Sequence, residues 1–164
     1  MSKVLKWSGI TLAVLFVAAQ AVRPERNNPP VDQAQTVQAH TQLTPEVAAI
    51  FKRACYDCHS SETQWPWYSN VAPVSWWLAD HVSHARSHMN FSNWMQKGGH
   101  SGEGDAQAIL HEICEEVKER KMPLSSYLLL HPDAKLSDED IKTICDWTKA
   151  ESERLAAEAK SARN

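Results

Sequence analysis

The sequence predicts an all-α domain, and three observations carry that reading. No stretch alternates apolar and polar residues in the way a half-buried strand does. Apolar residues recur instead at three- and four-residue spacing, as in Ile109, Leu110, Ile113, Cys114 and Val117. The stretches patterned in this way are opened by capping residues and closed by proline or glycine.

Met1 to Lys6 carries two lysines, and an uncharged apolar run extends from Trp7 to Val22. A basic start ahead of such a run is an export segment rather than a core helix. At about 16 residues, roughly 24 Å as a helix, the run falls short of the ~20 residues that span a bilayer comfortably. Ala19-Gln20-Ala21 reads as a cleavage site, whereas Arg23-Pro24-Glu25-Arg26 directly after it opposes cleavage. Residues 1–22 are therefore a signal peptide or a short membrane anchor, two readings of equal standing, and both export the rest of the chain. Residues 23–41 hold Pro24, Asn27, Asn28, Pro29, Pro30 and a Gln-rich stretch with no apolar period. They read as an extended, solvated tether.

The globular part is then residues 42–150, near the lower end of common domain sizes. Thr44-Pro45-Glu46 caps a helix predicted over Pro45–Ala54, with Val47, Ile50 and Phe51 inward. Trp65-Pro66-Trp67-Tyr68-Ser69-Asn70 is broken by proline and is not helix interior. Pro73 opens a second helix that runs to about Met89. Phe91 to Gln96 is a short helical turn closed by Gly98-Gly99, and Asp105 to Lys121 is a third helix stopped by Pro123. Ser137-Asp138-Glu139-Asp140 is a variant of the capping box and opens the last helix, whose inner face is Ile141, Ile144, Cys145 and Thr148. Residues 151–164, rich in Ala, Glu and Lys, form a polar helical tail. The net charge of −3 and the absence of a basic stripe exclude a nucleic-acid partner.

The chemistry resides in Cys55-Tyr56-Asp57-Cys58-His59, a C-x-x-C-H. This is the attachment pattern of a c-type haem. Two thiols at this spacing add across the haem vinyl groups as thioethers, and the adjacent imidazole becomes the proximal iron ligand. A thioredoxin-like pair would need a βαβ setting, and a zinc site a second ligand pair; neither pattern is present. With a single such motif the expected cofactor is one covalent haem c.

The distal ligand is sought among four methionines, Met1, Met89, Met95 and Met122. Met122 lies in Lys121-Met122-Pro123, past the third helix, where the proline fixes the loop. It is the leading candidate, because a thioether is a soft ligand suited to haem iron. Its alternative role is a core gap-filler, and His131, before Pro132, is its rival as ligand. Arg86 is the one Arg or Lys between Arg53 and Lys97. It is a candidate partner for haem propionates, against a plain surface charge. Trp67, with Trp65, Trp76, Trp77 and Trp94, is read as haem-pocket wall and core. His81, His84 and His88 share one helix face, which reads more simply as polar surface than as a second metal site. Cys114 and Cys145 face inward; buried free thiols are slightly preferred over a disulfide.

Taken with these motifs, the chain resembles the bacterial haem-binding-domain family, a branch of cytochrome c-like proteins. The resemblance covers about residues 23–149. It rests on Cys55-x-x-Cys58-His59-Ser60, Trp65-Pro66-Trp67-Tyr68-Ser69, Ala72-Pro73-Val74-Ser75-Trp76, His81-Val82, Arg86, Asn90-Phe91-Ser92-x-Trp94, Lys121-Met122-Pro123-Leu124, Tyr127, His131-Pro132, Leu136-Ser137 and Trp147. Against the pattern, His84-Ala85 stand where the family usually has an acid and a glycine, and Cys114 and Cys145 lie outside it. The resemblance implies a cytochrome c-like helical fold with His59 and Met122 on iron.

The expected function is a monohaem c-type cytochrome, an electron carrier rather than an enzyme. It would act in the bacterial periplasm, held to the inner membrane if the export segment is retained, with membrane respiratory proteins as redox partners. The alternatives are a haem enzyme or sensor whose distal ligand leaves, with His81 and His131 as acid–base groups, and an accessory haem subunit of a membrane complex.

Overall fold

The computed structural model describes residues 3–94 and 103–162, with side chains from residue 106 onward in the second stretch. The described residues contain helices and turns and no strand. Helix α1 is Lys3–Ala19, α2 is Val37–His40, α3 is Pro45–Ala54, α4 is Tyr56–His59 and α5 is Val74–His88. Helix α6 is Glu103–Lys118, α7 is Ser125–Leu128 and α8 is Asp138–Ala162. Short 3-10 turns cover Gln33–Gln35, Trp67–Asn70 and Pro132–Ala134. The all-α class is thus as the sequence predicts.

Local chemistry explains the ends. Thr44 accepts the Val47 N–H at 3.3 Å and Pro45 occupies the first turn, so α3 starts where expected. At α8 the capping box closes in both directions. Asp140 N–H donates to Ser137 Oγ at 3.0 Å, and Ser137 N–H donates to Asp140 Oδ2 at 2.8 Å. The expected turn at Phe91–Gln96 is described only through Trp94. Gln96, Gly98 and Gly99 lie outside the described residues.

The core is an aromatic pile between α3, α4 and α8. Phe51 stacks on Phe91 with centroids 4.8 Å apart, Tyr56 stacks on Phe91 at 5.3 Å, and Trp147 meets Phe51 edge-on at 5.4 Å. Ile109, Leu110, Ile113 and Val117 of α6 and Ile144 of α8 are buried with them.

Helices α6 and α8 are cross-linked. Cys114 and Cys145 form a disulfide with Cα atoms 4.9 Å apart. This corrects the preference for free thiols: two inward cysteines on facing helices fall within the reach of a bridge.

The segment read as a solvated tether is packed instead, and so is the start of the polar helical tail. In residues 23–41, Val37 and Thr36 are buried. Val37 N–H donates to Phe91 O at 2.9 Å, and Trp94 N–H donates to Gln35 O at 2.8 Å. The tail beyond residue 150 continues α8 without a break. Its Glu151, 2% exposed, accepts the Gln42 N–H at 3.1 Å and is gripped by Arg154. Arg154 also donates to His40 O at 3.2 Å. Each segment places one apolar residue on the core, Val37 and Leu155, and is otherwise held by hydrogen bonds, which is why its composition is polar. Helix α1 has no buried residue. No described helix is long and apolar enough to cross a membrane.

The disulfide closes a loop across a sequence separation of 31. Replacing both cysteines by serine should therefore lower unfolding stability by about 3–4 kcal/mol in denaturant titration, and peptide mapping without reductant should recover the linked pair. Burial raises the Asp140 carboxyl, but the Ser137 N–H and hydroxyl and Arg53 outweigh it and hold it below the ordinary carboxylate range. A depressed carboxyl stabilises above its unfolded pKa and loses that contribution as pH falls through its folded value. Asp140→Ala should thus be less stable than the parent at neutral pH, with the gap closing in acid.

Candidate functional site

The C-x-x-C-H straddles a break between two helices. Cys55 ends α3, its N–H still bonded to Phe51 O at 2.8 Å, and its φ of −125° turns the chain. Helix α4 then restarts on Cys55 itself, whose carbonyl accepts the His59 N–H at 2.9 Å and the Cys58 N–H at 3.2 Å. Cys55 and His59 are brought within one turn of each other. Burial raises the Cys55 thiol to about 12 and the Cys58 thiol to about 11, so both are protonated at neutral pH.

Asp57, between the cysteines, is braced from outside. Its Oδ1 accepts the Gln64 N–H at 2.9 Å, its Oδ2 accepts the Tyr127 O–H at 2.7 Å, and its carbonyl accepts the Thr63 hydroxyl at 2.7 Å. Burial and then the bond to Asp57 push the Tyr127 phenol upward.

The His59 ring is fixed by α5. Its Nδ1 lies 3.2 Å from the carbonyl of Met89, the residue that caps α5. A carbonyl can only accept, so Nδ1 carries the hydrogen and Nε2 keeps its lone pair. Burial lowers the His59 pKa and favours the neutral ring. A neutral imidazole with its second nitrogen tied to a carbonyl is the usual state of a metal-ligating histidine.

His59 and Cys55 open onto an apolar cavity walled by Phe51, Phe91, Ile109, Ile113 and Val117, with Met89 and Met122 also on its lining. His88, Glu112 and Glu116 complete it, and His88 Nε2–H donates to Glu112 Oε1 at 2.8 Å. Met122 arrives by a tight turn. Arg120 adopts a left-handed conformation, φ 54°, and the N–H groups of Lys121 and Met122 both donate to Glu116 O, at 3.0 and 3.2 Å. Helix α6 therefore ends at Lys118, ahead of Pro123, and this reversal brings Met122 to the cavity.

A family model described as a haem-binding domain matches residues 14–150. The chain belongs to the haem-binding-domain family. No curated protein and no solved structure matches it. The haem-binding-domain assignment agrees with the donor set: a neutral imidazole, two thioethers and the Cys55 thiol line one apolar cavity, whereas Cys58, one turn along, is not among its lining residues. Trp65 Nε1 is also buried with no hydrogen-bond partner among the described residues. It is a donor of the kind that a carboxylate-bearing group would satisfy, but Trp65 is not among the cavity's lining residues.

The other sequence candidates fall in different places. Arg86 does not line the cavity. It donates from Nε to Ser60 O at 2.7 Å, from one terminal nitrogen to Asn27 O at 2.9 Å, and from the other to Asn28 Oδ1 and Thr63 Oγ1, each at 2.8 Å. These bonds occupy four of its five N–H groups and leave little for a propionate. Trp67 lies in the turn after Pro66, exposed and outside the cavity lining, because that turn carries its ring outward. His131 Nε2 is 2.7 Å from Tyr68 Oη, and its ring stacks on Tyr127 at 4.1 Å, so it too is away from the cavity. Met95 lies outside the described residues. His81 and His84 cap onto carbonyls of their own helix, and no cluster of three His, Cys, Asp or Glu side chains suited to a metal occurs among the described residues.

Sequence reasoning does not reveal Met89 as the backbone acceptor for His59, nor Phe91 as a cavity wall. Their one signal is their place in or beside the Asn90-Phe91-Ser92 motif.

Arg86 therefore joins residues 27–28 to the loop after His59. Arg86→Ala should cost roughly 2–5 kcal/mol for four lost hydrogen bonds. It should also expose the 23–41 segment to limited proteolysis, whereas a surface arginine would give neither change.

Proposed function

We propose that this haem protein is a monohaem c-type cytochrome that carries single electrons in the bacterial periplasm. Cys55 and Cys58 hold the haem as thioethers, His59 Nε2 is the proximal ligand, and Met122 sulfur is the distal one. The observation that carries this reading is that His59, its ring already pinned through Nδ1, shares one apolar cavity with Met122. The disulfide Cys114–Cys145 supports it further, because such a bond belongs to an oxidising compartment, where c-type haem is also attached.

When bound, the haem supplies a reversible one-electron change at its iron. The protein's part is positional. The Met89 carbonyl orients the His59 ring and raises its basicity as a ligand. The Met122 thioether, as a ligand, would favour the ferrous state. Phe51, Phe91, Ile109, Ile113 and Val117 keep water away, which disfavours the more highly charged ferric state. Partners on this reading are redox proteins of a membrane respiratory chain, and the N-terminal apolar segment holds the carrier near them.

A second reading, a haem enzyme or sensor with a displaceable distal ligand, draws on one observation. The His88–Glu112 pair and Glu116 place acid–base groups in the lining of the cavity.

Acid–acetone extraction should leave the haem on the chain, and loss of all haem would contradict attachment through Cys55 and Cys58. In the ferric protein the long-wavelength charge-transfer band of a methionine-ligated haem should be present, and it should vanish in Met122→Ala and Met122→His. Met122→Ala should bind carbon monoxide in the ferrous state while the parent resists it. Met122→His should lower the potential, on the order of a few tenths of a volt within the range that axial ligands set. A parent that binds carbon monoxide freely favours the enzyme or sensor reading.

A further inference from the structure

Three tryptophans and a valine stand out at one corner of the domain and take no part in the cavity. Trp67 is 76% exposed, Trp77 46%, Val74 43% and Trp76 37%. Val74, Trp76 and Trp77 lie in the first turn of α5, and the turn that carries Trp67 packs against that helix. The chain leaves α1 at the same corner. The Gln20 side chain pairs with the backbone of Ala72, accepting its N–H at 2.9 Å and donating to its carbonyl at 3.3 Å. Trp76 Nε1–H donates to Val22 O at 2.7 Å. Arg26 donates to Ser69 O at 3.0 Å and to its Oγ at 2.8 Å. With Asn27 and Asn28 held by Arg86, residues 20–28 have no slack.

Helix α1 identifies the surface that meets this corner. From Trp7 to its end it carries no charge, and none of its residues is buried against the domain. A helix apolar on all sides is stable only where something apolar surrounds it, and a lipid bilayer does so. Its 17 residues give about 26 Å of helix against a hydrocarbon core of ~30 Å, too little to cross an undisturbed bilayer, and a bilayer accommodates so short a helix by thinning around it. So short a segment, with Lys3 and Lys6 at one end, has no spare length with which to lift the domain clear of the surface. Tryptophan is the residue enriched at the headgroup level of a membrane. The family match begins at residue 14, inside this helix, so its last turns belong to the family pattern.

We propose that α1 stays on the mature protein and that Trp67, Trp76 and Trp77 seat in the headgroup layer where it leaves the bilayer. The haem domain is then held in one orientation on the membrane instead of swinging on a tether. The inference rests on the anchored reading of the export segment and adds a lipid-facing surface to it.

The test uses the haem-loaded protein as recovered after export and processing in the cell, placed with vesicles of phosphatidylcholine and phosphatidylglycerol that contain a phospholipid with a diazirine near its headgroup. After illumination, intact mass gives the N-terminus and peptide mapping gives the sites of lipid adducts. The expected result is a chain that retains α1, with adducts on α1 and on the peptides holding Trp67 and Trp76-Trp77. Gln20→Ala combined with Arg26→Ala should lose the adducts at the tryptophan corner and keep those on α1. A retained α1 with adducts on α1 alone in the parent overturns the seated orientation and leaves the anchor standing. A mature chain that begins near Val22 overturns both.

Discussion

One crossing of the chain holds His59, and the site depends on it. The histidine gives its Nδ1–H to the Met89 carbonyl, and its own carbonyl takes the Phe91 N–H at 2.8 Å. Ser61 N–H donates to Ser92 Oγ at 3.0 Å, and Arg86 reaches Ser60 O from the preceding helix. The segment after His59 and the segment after α5 are thus laced together over several residues. The Met89 carbonyl at the end of α5 fixes the ring and its tautomer, as a histidine suited to metal ligation requires. The same crossing recruits the N-terminal segment, because Phe91 O accepts the Val37 N–H and Gln35 O accepts the Trp94 N–H. Phe91 is then the hinge between core and cavity: it stacks in the aromatic pile and also lines the space in front of His59.

The remaining helices close the cavity from the other side. Helix α6 contributes Ile109, Ile113 and Val117 as one apolar stripe, and the left-handed residue Arg120 turns the chain back so that Met122 continues the stripe into the cavity. The disulfide and the buried face of α8 hold α6 in place. His59 is therefore carried by α4 and α5, while the facing wall and Met122 both come from α6 and the turn that ends it.

Much of this is legible in the sequence, for identifiable reasons. Helices α3, α5, α6 and α8 announce themselves by caps and apolar spacing, which are local properties. The C-x-x-C-H points to haem within five residues, and the family match agrees on haem binding. Spacing cannot decide the Cys114–Cys145 bridge, since two inward faces become a disulfide only if the helices approach. The packing of residues 23–41 and of the turns after residue 150 is invisible to hydropathy. Apart from single apolar residues, Val37 and Leu155, those segments bind through Asn27 O, Gln35 O and the Glu151 carboxylate, and one apolar residue makes no periodic pattern. Arg86 stands out in the sequence as an isolated cation, but an isolated charge does not say whether its partners are a propionate or four groups of its own chain. Trp67 groups with the pocket by its aromatic character alone, and the turn after Pro66 points it outward.

The central claim is that the cavity in front of His59 is completed by Met122. Proton NMR of the ferrous haem-loaded protein, with methionine methyl groups carbon-13 labelled, tests this most directly. A methionine methyl on haem iron sits against the macrocycle and is shifted far upfield of all others. The account predicts one such resonance and its disappearance in Met122→Leu. A spectrum with no shifted methyl, or a shifted methyl that persists in Met122→Leu and disappears in Met89→Leu, would contradict it.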